Sequence, residues 1–441
     1  MNASAFQAPA AIAIFIVTYV FIATERVHRT VAALAGAALV LLLGLVPQDK
    51  ALSGHSGVDW NVIFLLLGMM IIVAVTRRTG VFQWLAIRAV KLAQGKPARV
   101  MVLLAILTGM LSALLDNVTA VLFMAPISVF IAEATGMALV PLLISQIISS
   151  NIGGTATLVG DPPNIMIGSA AQLGFLSFLT NLAPIAIIIF AATLGLLVWI
   201  FRAQLRPPAD LRQRVAALDE SRALSDPVML RRCLIVLALT FAGFFVHEPL
   251  HLQPATIALA GAVLMLILTK VALSDVIREV EWSTLLFFVG LFVLVAALVE
   301  AGIMHRLAEL LLARAEHGMS GPTIALLWIS ATASGLVDNI PFVAALNPML
   351  ADVARDLATP GMSETAALHT PTMMALWWSL ALGACLGGNA TLIGASANVV
   401  IAGIAERSGH PISFLYYLRY GAPLTLVSMI LSTLYVWLRY L

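Results

Sequence analysis

Ten apolar runs divide the chain, at 8–25, 31–47, 60–76, 138–170, 182–202, 233–247, 255–270, 282–299, 372–404 and 421–438. Each approaches or exceeds the roughly 20 residues that a helix needs to cross a bilayer. With 61% hydrophobic and only 10% charged residues in 441, against about a quarter charged in a soluble domain, the chain is expected to be an all-α polytopic membrane protein. The opening "MNASAFQAPAAIAIFIVTYVFIATER" has no basic region ahead of its apolar run, so it reads as a first membrane helix and not a cleaved signal. A net charge of +2 points to no particular partner, and no nucleic acid is expected.

Polar residues interrupt the apolar pattern at four places. Residues 151–164 read "NIGGTATLVGDPPN" and residues 387–398 read "GGNATLIGASAN", each inside one of the runs. Two further stretches, 100–131 and 320–350, are split by Asp116-Asn117 and Asp338-Asn339. The legs around Asp116-Asn117 are about 16 and 14 residues, roughly 21–24 Å of helix, which falls short of a ~30 Å hydrocarbon core. Both stretches are therefore expected to be re-entrant hairpins with polar tips inside the membrane, where such tips must be buried in protein or line a wet cavity. Two short full spans are the alternative.

The two halves repeat one another. From Val58 to Pro126 an offset of 222 finds a partner without a gap: Trp60 meets Trp282, Gly68 meets Gly290, Asp116 meets Asp338 and Asn117 meets Asn339. Further on the offset is 234, which lays "GGTATLVGDPPN" over "GGNATLIGASAN". Polar positions match as well as oily ones, which marks a duplication. The repeats are expected at 1–203 and 233–441, with a charged cytoplasmic connector at 204–232 between them. Each holds five spans (one broken) plus one hairpin, and an odd number of spans inverts the second half. With both termini outside, 19 of the 24 Lys and Arg fall on internal loops and 5 on external ones, as the positive-inside rule requires. The first hairpin then opens from the cytoplasm and the second from outside. "FQWLAIRAVKLA" (82–93) and "MHRLAELLLARA" (304–315) suit helices lying flat at the interface, or ordinary loop helices.

A broken helix leaves backbone N–H and C=O groups free for a solute or ion. Gly153 and Gly154 are expected to let the backbone bend and approach closely, and Pro162 and Pro163 to keep the helix from resuming at once. Asn151, Thr155, Thr157 and Asn164 supply neutral donors and acceptors. Gly387, Gly388, Asn389, Thr391, Ser396 and Asn398 do so in the second half. Asp116, Asp161 and Asp338 are the carboxylates placed well inside the membrane, where a charge costs at least ~2.5–3.5 kcal/mol and usually marks an ion pathway or proton relay. No Lys or Arg lies near them in sequence. Asp116 and Asp338 could simply cap the second legs of their hairpins; Asp161, whose repeat partner is Ala395, is the stronger candidate for carrying a proton or cation.

Cys233 and Cys385 read as small core residues. His55, His247, His251, His317, His369 and His410 read as surface histidines, and they form no metal cluster with Cys, Asp or Glu. No cofactor is expected. Without a phosphate-binding glycine loop, energy must come from ion gradients or a partner ATPase.

"LLDNVTAVLFMAP" followed by "SNIGGTATLVGDPPNIMIGSA" resembles the ion transporter superfamily, in particular its arsenite-efflux and pink-eyed-dilution permeases. That superfamily also holds NhaD-type sodium/proton antiporters and divalent-anion/sodium symporters. The resemblance implies an inverted repeat of five spans and a hairpin, often dimeric, that moves in an elevator-like way. It also implies that Asp116-Asn117-Thr119, the 151–164 loop, Asp338-Asn339 and the 389–398 loop line the solute and ion sites. Dicarboxylate symporters of the superfamily carry Ser-Asn-Thr at both tips, whereas these tips read "DNVT" and "DNIP". Acids there would repel a dianion. The sequence thus points to a proton-coupled inner-membrane antiporter exporting arsenite or antimonite, with a sodium/proton antiporter and an organic-anion carrier as alternatives. An intramembrane enzyme would need a nucleophile–base pair or a metal cluster, and neither is visible.

Overall fold

A computed structural model describes residues 3–24, 26–54, 57–207, 210–315 and 318–441, and its regular elements are all helices. His55 and His317 lie outside the described residues. Helices of nine residues or more divide evenly between the halves. The first half holds α1 (Ala3–Thr24), α2 (Arg29–Leu42), α3 (Trp60–Arg77), α4 (Val81–Leu92), α5 (Pro97–Leu114), α6 (Asn117–Thr135), α7 (Leu139–Thr155), α8 (Pro162–Ala170) and α9 (Ala183–Phe201). The second holds α10 (Pro227–Val246), α11 (Pro254–Thr269), α12 (Trp282–Glu300), α13 (Ile303–Ala313), α14 (Ser320–Leu336), α15 (Asn339–Asp356), α16 (Pro371–Gly387), α17 (Ser396–Arg407) and α18 (Phe414–Tyr440).

The molecule is oily outside, and a set of polar side chains is buried within its apolar interior. Leu42, Ile187, Ile267 and Leu438 are among its most exposed side chains, while Asn151, Asp161, Asn164 and Asn398 are fully buried. An apolar outer surface suits lipid, and polar groups inside it must find their partners within the protein. Among the described residues eight helices are long and apolar enough to cross a membrane, and α2, α7, α11 and α16 are shorter apolar helices. The chain is a multi-pass membrane protein.

Two sets of helices can be distinguished by what they pack against. One is a frame in which α2 runs along α12 and α3 along α11, with α1 and α10 alongside. Glycine permits both close crossings: a Cβ at Gly68 would strike the backbone of Ala258, and one at its repeat partner Gly290 the backbone of Ala33. The other set is a core of α5–α8 and α14–α17, backed by α9 and α18. There α5 packs on α7 and α14 on α16, while α6 meets α17 and α8 meets α15 across the repeat.

Bonds between distant loops define two faces. On one, Ser225 N–H donates to the Thr79 carbonyl, Arg78 pairs with Glu279, and Thr30 bonds to the Ser283 carbonyl. On the other, Lys50 pairs with Glu300, Thr365 bonds to Gln172, and Tyr435 to the Asn181 carbonyl.

The legs around Asp116 are 18 and 19 residues, longer than expected, so length does not separate a hairpin from two spans. Position does. Gly95, just ahead of α5, lies against Arg212 of the connector, and the connector's Leu211–Ala217 helix packs on α6. The turn between the legs is buried at the centre.

The helix breaks also differ in detail from expectation. Gly153 and Gly154 remain helical at the end of α7, and the chain leaves the helix only at 156–161. Pro162 and Pro163 do not delay the next helix but open α8, because the first turn has no use for the N–H groups that proline lacks. His247 is buried, with its ring Nδ1 2.9 Å from the Leu252 carbonyl oxygen, and is not a surface histidine.

Candidate functional site

The breaks are held by a bonding scheme that occurs twice. Ser112 Oγ donates to the Ser150 carbonyl at 2.6 Å, and Ser334 Oγ to the Ala384 carbonyl at 2.5 Å. Thr157 Oγ1 reaches the Ala113 carbonyl at 2.6 Å, and Thr391 Oγ1 the Gly335 carbonyl at 2.5 Å. Asn164 Nδ2 donates to the carbonyls of Gly154, Thr155 and Thr157; Asn398 Nδ2 donates to those of Gly388 and Thr391. Gly153 and Gly387 have no room for a Cβ, which would land on the carbonyl oxygens of Gly109 and Ala331. A Cβ at Gly154 would also strike the Gly160 carbonyl oxygen, and one at Gly388 would crowd that of Gly394. A buried carbonyl left without a donor costs about 1–3 kcal/mol, so these side chains hold open an irregular backbone the core could not otherwise bury. Thr155, whose hydroxyl bonds to the Asn151 carbonyl, belongs with them.

Inside that cage the remaining polar side chains meet. Asn151 is the hub. Its amide oxygen accepts from Asn117 Nδ2 at 3.1 Å, and its Nδ2 donates to Asn389 Oδ1 and Asn398 Oδ1, both at 2.9 Å. Asn117 Oδ1 is buried without a protein partner. Asn389 is held in turn by the Ile148 carbonyl, which accepts from its Nδ2 at 3.4 Å, and its own carbonyl accepts from Tyr417 Oη at 3.0 Å.

The three carboxylates differ in what they bond. Asp116 caps α6 by accepting from Thr119 N–H at 2.8 Å, and Asp338 caps α15 by accepting from Ile340 N–H at 3.2 Å. Asp161 sits at the start of α8 but caps nothing. Its two oxygens accept from Nδ2 of Asn339, on the opposite tip, at 3.3 and 3.2 Å. Both other acids lie within its electrostatic reach, and Cys385 Sγ packs beside it, 3.4 Å from Asn164 Oδ1.

Arg29 joins this group from 309 residues away. Its Nη1 lies 3.3 Å from Asp338 Oδ2 and also bonds to the Ser396 hydroxyl, which itself donates to Asp338 Oδ2 at 2.9 Å. A cavity of about 350 Å³ reaches the pair, lined by Ile22, Ala23, His28, Arg29, Asp338 and Ser396 among others. Glu281, one residue before α12, lies within electrostatic reach of Arg29 and Asp116. Burial, and then the Asp116 charge, push it up to about 7 despite the Thr284 hydroxyl and Arg29.

Comparison with known proteins identifies the class. The citrate transporter (CitMHS) profile matches residues 19–383. The chain belongs to that family. An uncharacterized transporter of Mycobacterium tuberculosis is 46% identical over 98% of both chains, and a 46 kDa membrane protein of Mycobacterium leprae is 42% identical over 98% of both. The P protein of Mus musculus is 33% identical over 98% of this chain and 60% of its own length, in line with the pink-eyed-dilution resemblance of the motifs. Among solved structures, the YdaH transporter of Alcanivorax borkumensis covers 91% of this chain and 88% of its own at 14% identity and a TM-score of 0.54. MtrF of Neisseria gonorrhoeae covers 92% and 85% at 12% identity and a TM-score of 0.57. These two share the fold. The protein is therefore a transporter of the ion transporter superfamily.

Arg29 and Cys385 escaped the sequence reading. The 234 offset places Cys385 opposite Asn151 and could have flagged it. No pattern near Arg29 distinguishes it from the other loop bases.

Proposed function

We propose that this transporter is a proton-coupled antiporter of the inner membrane that exports arsenite or antimonite. The supporting observation is the charge ledger at the centre. Asp116 and Asp338 lie within electrostatic reach of Asp161 beside an asparagine cluster, and among the described residues a single arginine is ion-paired to one of the three, Asp338. Two negative charges stay uncompensated by protein, so cations or protons must join them for the core to stay in lipid. Asp161 is the first choice for the exchanged proton: it is fully buried and spends no oxygen on a helix cap. Arsenite at neutral pH is an uncharged trihydroxide. Its hydroxyls suit amide groups such as the unpaired Asn117 Oδ1 and need no basic pocket. Alternating access is carried by the α5–α8 and α14–α17 core moving along the frame, with α4 and α13 as braces. The basic face is cytoplasmic, which puts both termini outside.

One observation favours a second reading. Arg29 beside Ser396 at the start of α17 offers a cation and a helix N-terminus to a carboxylate, which suits the citrate of the family's description. Purified protein in liposomes with an imposed pH gradient separates the two. Arsenite or antimonite alone should collapse the gradient, and Asp161→Asn should abolish the response. Collapse with citrate only would install the carboxylate reading, and collapse with Na⁺ or Li⁺ only would make the same acids a sodium/proton site.

A further inference from the structure

The Arg29–Asp338 pair ties the two sets of helices together. Arg29 is the first residue of α2, in the frame; Asp338 sits on the α14–α15 tip and Ser396 opens α17, both in the core. The guanidinium also lies 5.3 Å from the centre of the Phe287 ring on α12, the helix along which α2 runs. It is 27% exposed, on the side of the 350 Å³ cavity, so ions entering the cavity reach the pair. A carboxylate with a guanidinium at 3.3 Å binds a second cation only against repulsion between the two positive charges. Other titratable groups face the pair: Tyr19, whose buried hydroxyl has no protein partner, then Asp161, Glu281 and His28. Of these, Glu281 is the acid placed to receive Arg29 when it leaves the tip.

We propose that Arg29 is a built-in counter-cation for Asp338, holding the place that a transported proton or alkali cation takes. This rests on the cation-coupled reading above. Occupied by Arg29, the tip is tethered to α2. Occupied by a cation, it is released, and Arg29 turns toward Glu281. Cation binding and separation of core from frame are then one event.

The test needs no metalloid. The full chain in detergent is melted against Na⁺ or Li⁺ at constant pH and ionic strength, and against pH without alkali cations, as wild type, Arg29→Lys, Arg29→Gln and Arg29→Gln/Asp338→Asn. Arg29→Gln should lower the cation or proton concentration that gives the half-maximal shift by about tenfold or more, the effect of removing one close opposite charge. Arg29→Lys, which keeps the charge without the fork, should fall between, and the double variant should lose the gain. Should Arg29→Gln fail to fold, Arg29→Met, which keeps an unbranched stem without the charge, takes its place, and an unmoved midpoint there overturns the competing cation. An Arg29→Gln midpoint equal to wild type, or shifted to higher concentration, overturns the assignment and leaves cation coupling intact. Indifference to every cation in all the proteins overturns both.

Discussion

An amide can donate and accept at once, and Asn151 uses that fully: it joins Asn117 of one half to Asn389 and Asn398 of the other. A carboxylate could only accept there, and a hydroxyl would not reach three partners. Such residues were legible because asparagine and aspartate in apolar runs are expensive and stand out. Arg29 was not, because a basic residue at a helix start looks like any loop charge until the fold carries it to Asp338. Glu281 was missed for the same reason, and it has a measurable consequence. Its ordinary value is 4.5 and its place in the fold pushes it up to about 7, so the folded protein keeps a proton that the unfolded chain releases. The resulting stability is complete below about pH 4.5 and is lost as pH rises through about 7, some 3 kcal/mol in all. Melting wild type and Glu281→Gln in detergent from pH 5 to 8 should show wild type losing stability relative to the variant across that window. A difference that stays flat with pH would show that the carboxyl is solvated.

At the scale of elements, the breaks were readable as positions but not as constructions. Glycines located them at 151–164 and 387–398, yet Gly153, Gly154 and Gly387 stay helical, and Gly153 and Gly387 serve close packing on α5 and α14. What shapes each break is a hydroxyl and an amide turned back on the backbone, a role that sequence does not separate from solute binding. The scheme is the same in both halves, with Thr157 on Ala113 and Thr391 on Gly335. Thr157→Val and Thr391→Val should therefore cost similar amounts, about 1–3 kcal/mol each for a buried carbonyl left unpaired. Thermal melts in detergent check this. If either variant melts within a degree of wild type, water takes over the carbonyl and the break is softer than drawn. The legs around Asp116 make the complementary point: counting apolar residues understated them, because Pro97 to Arg99 and Ala132 to Thr135 are helical too.

For the molecule as a whole, the repeat and the charge bias were both legible, since duplication preserves polar positions and loops keep their lysines and arginines. How the halves interlock was not, because α6 on α17 and α8 on α15 are contacts between segments hundreds of residues apart. Interlocking of this kind fixes which loops share a face. Residues 26–30, 77–80, 220–225 and 275–284 are on one side; Lys50, Gln172, Glu300 and Thr365 are on the other. With 19 basic residues against 5, the orientation proposed above puts the first side in the cytoplasm, and the cavity at Arg29 then opens inward. Single cysteines in a Cys233→Ser, Cys385→Ser background test this in intact cells. A membrane-impermeant maleimide should label Thr359→Cys and spare Ala217→Cys and Val27→Cys; opened membranes should expose all three. Labelling of Ala217→Cys from outside would turn the whole molecule over. If Ala217→Cys is protected but Val27→Cys is reached from outside, the orientation stands and the cavity at Arg29 is one that the moving core opens to both sides in turn.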